Sequence, residues 1–357
     1  MKTTILFKIQ FLIAFLFFNA VLSQNRFAGI EIGSKGVKVT VIEVKNIKKG
    51  IYEIKGFWTE NVGIAKGISI NGNLAQADID KAGEVVFANY QKLLNEEKIE
   101  DNKIYIVASS GVGMAKNTDV LVNKIFELTT KKIEIISSQL ESKLSFKGCI
   151  PPKLYNDALL IDIGGGNTKG GYVDVINDEN TVFFPINLNL GTVTLTEKIN
   201  KKGNVEQINQ FTNESISYRK TLEIEVVEML KQRPLTLNKK SIYTSGGAVW
   251  AFYTLHTGTV APDNYNRYTL EDVQDYNELI QYNYQKFVEI AKTDTEVAAV
   301  LKTYSQKHLI SANNILLTTL QNIPDIASKK IVFVKQGQIA WLLSYVADSA
   351  KGARVIY

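Results

Sequence analysis

"LLIDIGGGNTKGGYVDV", residues 159–175, is the stretch on which the reading of the fold turns. An apolar run meets Asp162 and then three glycines, passes Asn167 and Thr168, and resumes as a second strand-like run from Lys169. Strand-like residues on both sides of a glycine cluster predict two strands joined by a tight turn. The same plan stands near the start, in "AGIEIGSKGVKVTVIEV" (28–44), with Glu31 before a turn at Gly33–Gly36 and Val37, Val39 and Val41 on one face. Ile30-Glu31-Ile32-Gly33 aligns with Ile161-Asp162-Ile163-Gly164, and the matching contexts predict a duplicated domain.

Outward from these turns the order of elements repeats. After the first come a strand at 51–58, a helix at 78–97 with Asp78 as its cap, and a strand at 103–111 ending in small residues. A helix at 118–130 and a short strand at 133–136 follow. After the second come strand 182–191, helices near 192–201 and 205–232, and a strand 240–247 that runs into Gly246-Gly247 and a helix over 248–256. The later segments read as mostly helical, with a last strand at 330–337 and a closing helix at 338–349. Alternating strands and helices predict α/β layers. The seam falls near "GCIPPKLYND" (148–157), giving a leader 1–23 and domains 24–150 and 151–357.

The 357 residues suffice for two ordinary cores. A net charge of +5 comes from 41 basic and 36 acidic residues that are scattered, and no basic cluster is interleaved with aromatics as a nucleic-acid groove would be. Lys2 and Lys8 precede the apolar run "FLIAFLFFNAVLS" (11–23), too short to span a bilayer, which predicts a signal peptide cut after Ser23 and an exported protein, periplasmic or secreted. An uncleaved anchor is the alternative. Cys149 is the only cysteine and reads as a buried, inert thiol. His256 and His308 are the only histidines and lie far apart, which argues against a zinc site or a Ser-His-Asp triad.

A glycine turn between strands exposes successive backbone N–H groups, a nest suited to phosphate oxygens. The acid before each turn, Glu31 or Asp162, stands where it could hold a hydrated Mg²⁺ (or Mn²⁺) bridging those phosphates. The plainer reading is a hairpin whose glycines serve the turn and whose acid faces water. Two such turns, with further small-residue turns at 109–111 and 245–247, favour the phosphate site.

Paired acid–glycine hairpins in duplicated domains resemble those of the actin-like ATPase, sugar kinase and Hsp70 superfamily. Within it the chain resembles the exopolyphosphatase and guanosine pentaphosphatase family, from "FAGIEIGSKG" to "FVKQGQIAWLL". The most specific match is "IEIISSQLESKLSFKG" (133–148) followed by "ALLIDIGGGNTKGG"; "NLGTVTLTEK" (189–198), "TSGGAVWA" (244–251) and "NRYTLEDV" (266–273) fit in order. The resemblance implies two ribonuclease-H-like domains with the ligand cleft between them. It places Glu141 on the catalytic glutamate, a general base for water attack on a terminal phosphorus. Gly33, Ser34, Lys35, Ser109, Ser110, Gly164, Gly165, Gly166, Asn167, Thr168, Ser245, Gly246 and Gly247 would cradle phosphates, and Glu31 and Asp162 would position metal or lytic water.

Three positions depart from that pattern: Glu31 stands where the family usually has aspartate, Lys169 where it has a second acid, and Gly113 where it has an arginine. Lys169 or Lys35 would have to replace the arginine's charge. The expected activity is an exported Mg²⁺-assisted hydrolase taking terminal phosphate from inorganic polyphosphate. The alternatives are a non-catalytic binder of polyphosphate or nucleotide and an extracellular nucleoside di- or triphosphatase. The expected partners are that anionic ligand and a second copy in a homodimer, with no nucleic acid and no membrane after cleavage.

Overall fold

The computed structural model describes residues 25–47, 51–177, 180–201, 207–258 and 260–351; the expected leader 1–23 lies outside them. Arg26–Ile32 (β1), Gly36–Asn46 (β2) and Ile51–Asn61 (β3) form an antiparallel meander. Helix Gln76–Asn95 (α1) leads to Ile104–Ala108 (β4), which pairs parallel to β1. Helix Thr118–Thr129 (α2) leads to the short strand Glu134–Ile135 (β5), parallel to β4, and Ser138–Cys149 (α3) closes this half.

Ala158–Ile163 (β6), Thr168–Asn177 (β7) and Asn180–Leu188 (β8) repeat the meander. Thr192–Lys201 (α4) and Ile208–Lys231 (α5) precede Ser241–Ser245 (β9), parallel to β6. Next come Gly247–Thr257 (α6), Tyr265–Tyr268 (β10) and the helices Leu270–Tyr282 (α7), Tyr284–Ile290 (α8), Thr295–Thr303 (α9) and Gln306–Gln321 (α10). Lys330–Val334 (β11) and Gly337–Ala350 (α11) end the described chain.

The two sheets run β3-β2-β1-β4-β5 and β10-β11-β9-β6-β7-β8. Read from the meander inward, the second repeats the first strand for strand, with β10 added antiparallel at its far edge. The central strands β1 and β6 are buried almost throughout, as continuous apolar strands covered on both faces must be. Each half has its own apolar core, one around Ile30, Val39, Ile79 and Ile106, the other around Ile161, Phe211, Phe252 and Leu316.

Three local expectations change. Helix α1 begins after Ala75, so Asp78 lies inside the first turn, where its charge still meets the positive end of the helix dipole. "YNRY" (265–268) is a strand within the segment read as helical; its backbone completes the β11 edge. The closing helix α11 leaves the half in which its sequence lies. Trp341, Leu342, Leu343 and Val346 pack with Phe27, Ile42, Val107 and Leu140 against the first sheet, while Phe146 and Cys149 of α3 pack on Leu160, Tyr243 and Val334 of the second. A cut at 150/151 would strip α11 from the first sheet's face.

Candidate functional site

Each hairpin closes through the same bond. Gly33 N–H donates to Gly36 O at 2.9 Å, and Gly164 N–H donates to Asn167 O at 3.0 Å. The four-residue turns bring Glu31 opposite Lys38 and Asp162 opposite Lys169 in their antiparallel pairs. Residues directly opposite each other share a face, so each acid meets a lysine seven positions on. The hairpin tips touch across the molecule: a Cβ on Gly165 would lie 2.8 Å from Ser34 Cβ, and one on Gly166 would lie 2.8 Å from Gly111 Cα. Only glycine permits that approach.

Between the halves lies a cleft of about 680 Å³. Glu31, Gly33, Ser34, Lys35 and Ser109 line it from one side, and Asp162, Gly164, Gly165, Gly166, Asn167, Gly246 and Gly247 from the other. Glu141 and Lys169 reach the same space. Helix α6 starts at Gly247, after Gly246 at φ 95°, a left-handed conformation that glycine takes without strain. That helix start is one more set of amide donors aimed at the cleft.

Not every expected residue faces the opening. Thr168 is buried and its hydroxyl donates to Leu190 O at 2.8 Å. Ser245 is buried and donates to Asp162 Oδ1 at 2.7 Å. Ser110 gives its backbone N–H to Glu141 Oε2 at 2.8 Å, and its hydroxyl accepts from Asn167 Nδ2 at 2.9 Å. These three hold the site's carboxylates and hairpin in place. Gly113 lies on a separate hollow of about 260 Å³ with Met114, Ser138 and Asn189, and a Cβ there would meet Ile135 Cγ2 at 2.8 Å.

Glu141 stands in the first turn of α3, whose N-cap Ser137 accepts from Leu140 N–H at 3.2 Å. An acid in that turn is favoured by the helix dipole. Its Oε1 lies 3.0 Å from Lys169 Nζ, and the same ammonium lies 3.0 Å from Asp162 Oδ2. All three groups are nearly sealed, with 2% of Glu141, 4% of Lys169 and 6% of Asp162 exposed. Burial works against the charge of Lys169, yet Asp162 and Glu141 outweigh it and hold its pKa above the ordinary lysine value.

Lys38 Nζ approaches Glu31 Oε1 and Oε2 at 3.2 and 3.3 Å and donates to Gln338 O at 2.9 Å. Burial nevertheless raises the Glu31 carboxyl to about 6, against the pull of Lys38 and with help from the charge of Glu141. Lys38 carries no motif of its own in the sequence; the signal that marks it is the shared acid-to-lysine spacing of the two hairpins.

From the first hairpin Lys35 reaches across the cleft, its Nζ lying 3.3 Å from His308 Nδ1 and 5.0 Å from the Tyr304 ring centre. Burial lowers Lys35 to about 8, with the Lys66 charge adding to the effect and Glu197 opposing it. Burial and the Lys35 and Lys66 charges push His308 down to about 3, so its ring is neutral at pH 7. Cys149 is buried, and burial raises its thiol, in keeping with an inert role.

The expected Mg²⁺ does not fit the resting donor set. Lys38 lies against both oxygens of Glu31 and the Lys169 ammonium fills the gap between Glu141 and Asp162, so a metal ion would have to displace a lysine to reach these carboxylates. Among the described residues no group of three or more His, Cys, Asp or Glu side chains is placed to hold a metal ion.

Two duplicated sheets around a cleft of glycine hairpins define the actin-like ATPase fold. The family model for the Ppx/GppA phosphatases matches residues 44–310, and the chain belongs to that family. Among curated proteins it is similar to a bifunctional 3-dehydroquinate synthase/phosphatase of Fusobacterium nucleatum, 29% identical over 182 residues, 49% of this chain and 27% of that one. It is also similar to the guanosine-5'-triphosphate,3'-diphosphate pyrophosphatase of Pseudoalteromonas translucida, 26% identical over 58% of this chain and 40% of that one. The chain spans less than half the length of these relatives. Among solved structures, an exopolyphosphatase from Cytophaga hutchinsonii aligns with TM-score 0.68 at 15% identity, covering 93% of this chain and 100% of its own. The Aquifex aeolicus Ppx/GppA member aligns at 0.63 and 19%, covering 91% and 98%.

Proposed function

We propose that the protein is a phosphoanhydride hydrolase that removes terminal phosphate from inorganic polyphosphate, in an exported, mature form beginning near residue 24. The observation that carries this reading is the convergence of Glu141 with both glycine hairpins on one cleft. A polyanion entering that cleft meets hairpin amides, the start of α6 and the ammonium groups of Lys35, Lys38 and Lys169. Phosphoryl transfer needs positioning and charge neutralisation above all, and these groups supply both. A carboxylate has more lone pairs than the two donors on Glu141 occupy, so it can still accept a proton from water. As that water's oxygen bonds to the terminal phosphorus, the bridging P–O bond breaks and the shortened chain leaves with the bonding electrons; orthophosphate is the other product. Export supports hydrolysis over transfer from ATP, because a kinase needs a donor scarce outside the cytosol. Among the described residues no helix is long and apolar enough to cross a membrane.

A second reading, a binder that holds polyphosphate or nucleotide without cleaving it, draws on the ion pairing of Glu141 with Lys169. Phosphate release from polyphosphate and from ATP, followed with the purified mature chain, separates these. Release from polyphosphate supports the hydrolase. Release from ATP alone transfers the substrate to nucleotides, and binding without release of either selects the binder.

A further inference from the structure

We infer that Lys169 is the cleft's resident cation: its ammonium takes the place of a divalent metal, and the site receives its phosphate ligand without one. The inference deepens the reading above and rests on it for the ligand's identity.

The geometry is that of a filled site. The ammonium lies 3.0 Å from Glu141 Oε1 and 3.0 Å from Asp162 Oδ2, with Asn167 Oδ1 at 3.5 Å, so its three N–H groups face three protein oxygens. The oxygens those carboxylates keep from it are taken by Ser110 N–H and by the Ser245 hydroxyl. Mg²⁺ demands an octahedron of oxygens at about 2.0–2.1 Å. To enter here it would have to expel a buried ammonium that is ion-paired with both carboxylates. Divalent charge beside a positive charge in a buried site is repelled strongly.

The first hairpin repeats the arrangement in weaker form, with Lys38 bonded to both oxygens of Glu31. Both copies of the duplicated hairpin therefore neutralise their acid from the facing strand, at the same register. An acid at position 169 would instead crowd a further carboxylate against Asp162 and Glu141, a set that a divalent ion would have to hold together. The residue that departs from the family's pattern is thus the one that removes the need for the ion.

The test reads metal uptake directly. Full mature chain is titrated with Mn²⁺, and free ion is followed by its electron paramagnetic resonance signal. Wild type is expected to take up no ion, and Lys169→Glu to gain one per chain. Lys169→Gln, which removes the charge without adding an acid, serves if the glutamate variant does not fold. Uptake of one ion per chain by wild type, lost in Asp162→Asn, would overturn the inference. So would failure of both folded Lys169 variants to gain an ion. A second arm measures tripolyphosphate binding by calorimetry in EDTA and in Mg²⁺. Comparable affinity in the two supports the inference, and binding that requires Mg²⁺ overturns it. Absence of binding in both defeats the phosphoanhydride reading alone, and the Mn²⁺ titration then decides the role of Lys169.

Discussion

Replacing Lys169 by methionine keeps most of the side chain's length and removes its charge. Two buried carboxylates, Glu141 and Asp162, then face each other without the ammonium that lies 3.0 Å from each. Breaking a buried ion pair from one side typically costs about 3–5 kcal/mol, because the stranded charge keeps its desolvation penalty. Here two charges are stranded. Each retains one donor, Ser110 N–H for Glu141 and Ser245 Oγ for Asp162, which holds the expected loss within that range. Paired urea titrations of wild type and Lys169→Met at pH 7.5, followed by tryptophan fluorescence, measure the loss. A loss below about 1 kcal/mol at pH 7.5, the range of an exposed pair, would refute the claim that this ammonium neutralises the centre of the site.

Glu31 binds its proton more tightly folded than unfolded, its pKa rising from 4.5 to about 6. Its contribution to stability is therefore present below about pH 4.5 and lost as pH rises through about 6; the interval, at 1.36 kcal/mol per unit, amounts to about 2 kcal/mol. Unfolding free energies of Glu31→Gln and wild type should diverge by that amount in the variant's favour between acid and neutral pH, and a constant difference would contradict it. Lys35 loses its charge near pH 8, so tripolyphosphate affinity measured by calorimetry should fall as pH rises past that value. Lys35→Arg, which stays protonated, should flatten the fall; parallel curves would remove Lys35 from ligand binding.

The hairpins were legible because their information is local. A strand, an acid, a glycine turn and a second strand fall within a dozen residues, and the register follows from the turn. Duplication was legible for the same reason, since Ile30–Gly33 and Ile161–Gly164 repeat it. What escaped the sequence depends on distant segments. Glu141 meets Lys169 only because α3 packs against the second sheet, and α11 covers the first sheet although its sequence follows the second. Periodicity shows that α11 has an apolar face but not which sheet will bury it. "YNRY" is too short for alternation to distinguish it from a helix turn; pairing with β11 decides it. The charge of Lys169 was visible as a departure, and its position between two carboxylates became clear only in three dimensions.

The hydrolase reading stands or falls on Glu141. Phosphate release from polyphosphate, measured side by side for wild type and Glu141→Gln with folding of both verified, tests it most directly. A positioned general base contributes about 10²–10⁴-fold, so Glu141→Gln should lose at least about 100-fold in rate while still binding the polyanion. Equal release by the two proteins, or none by wild type, would contradict it.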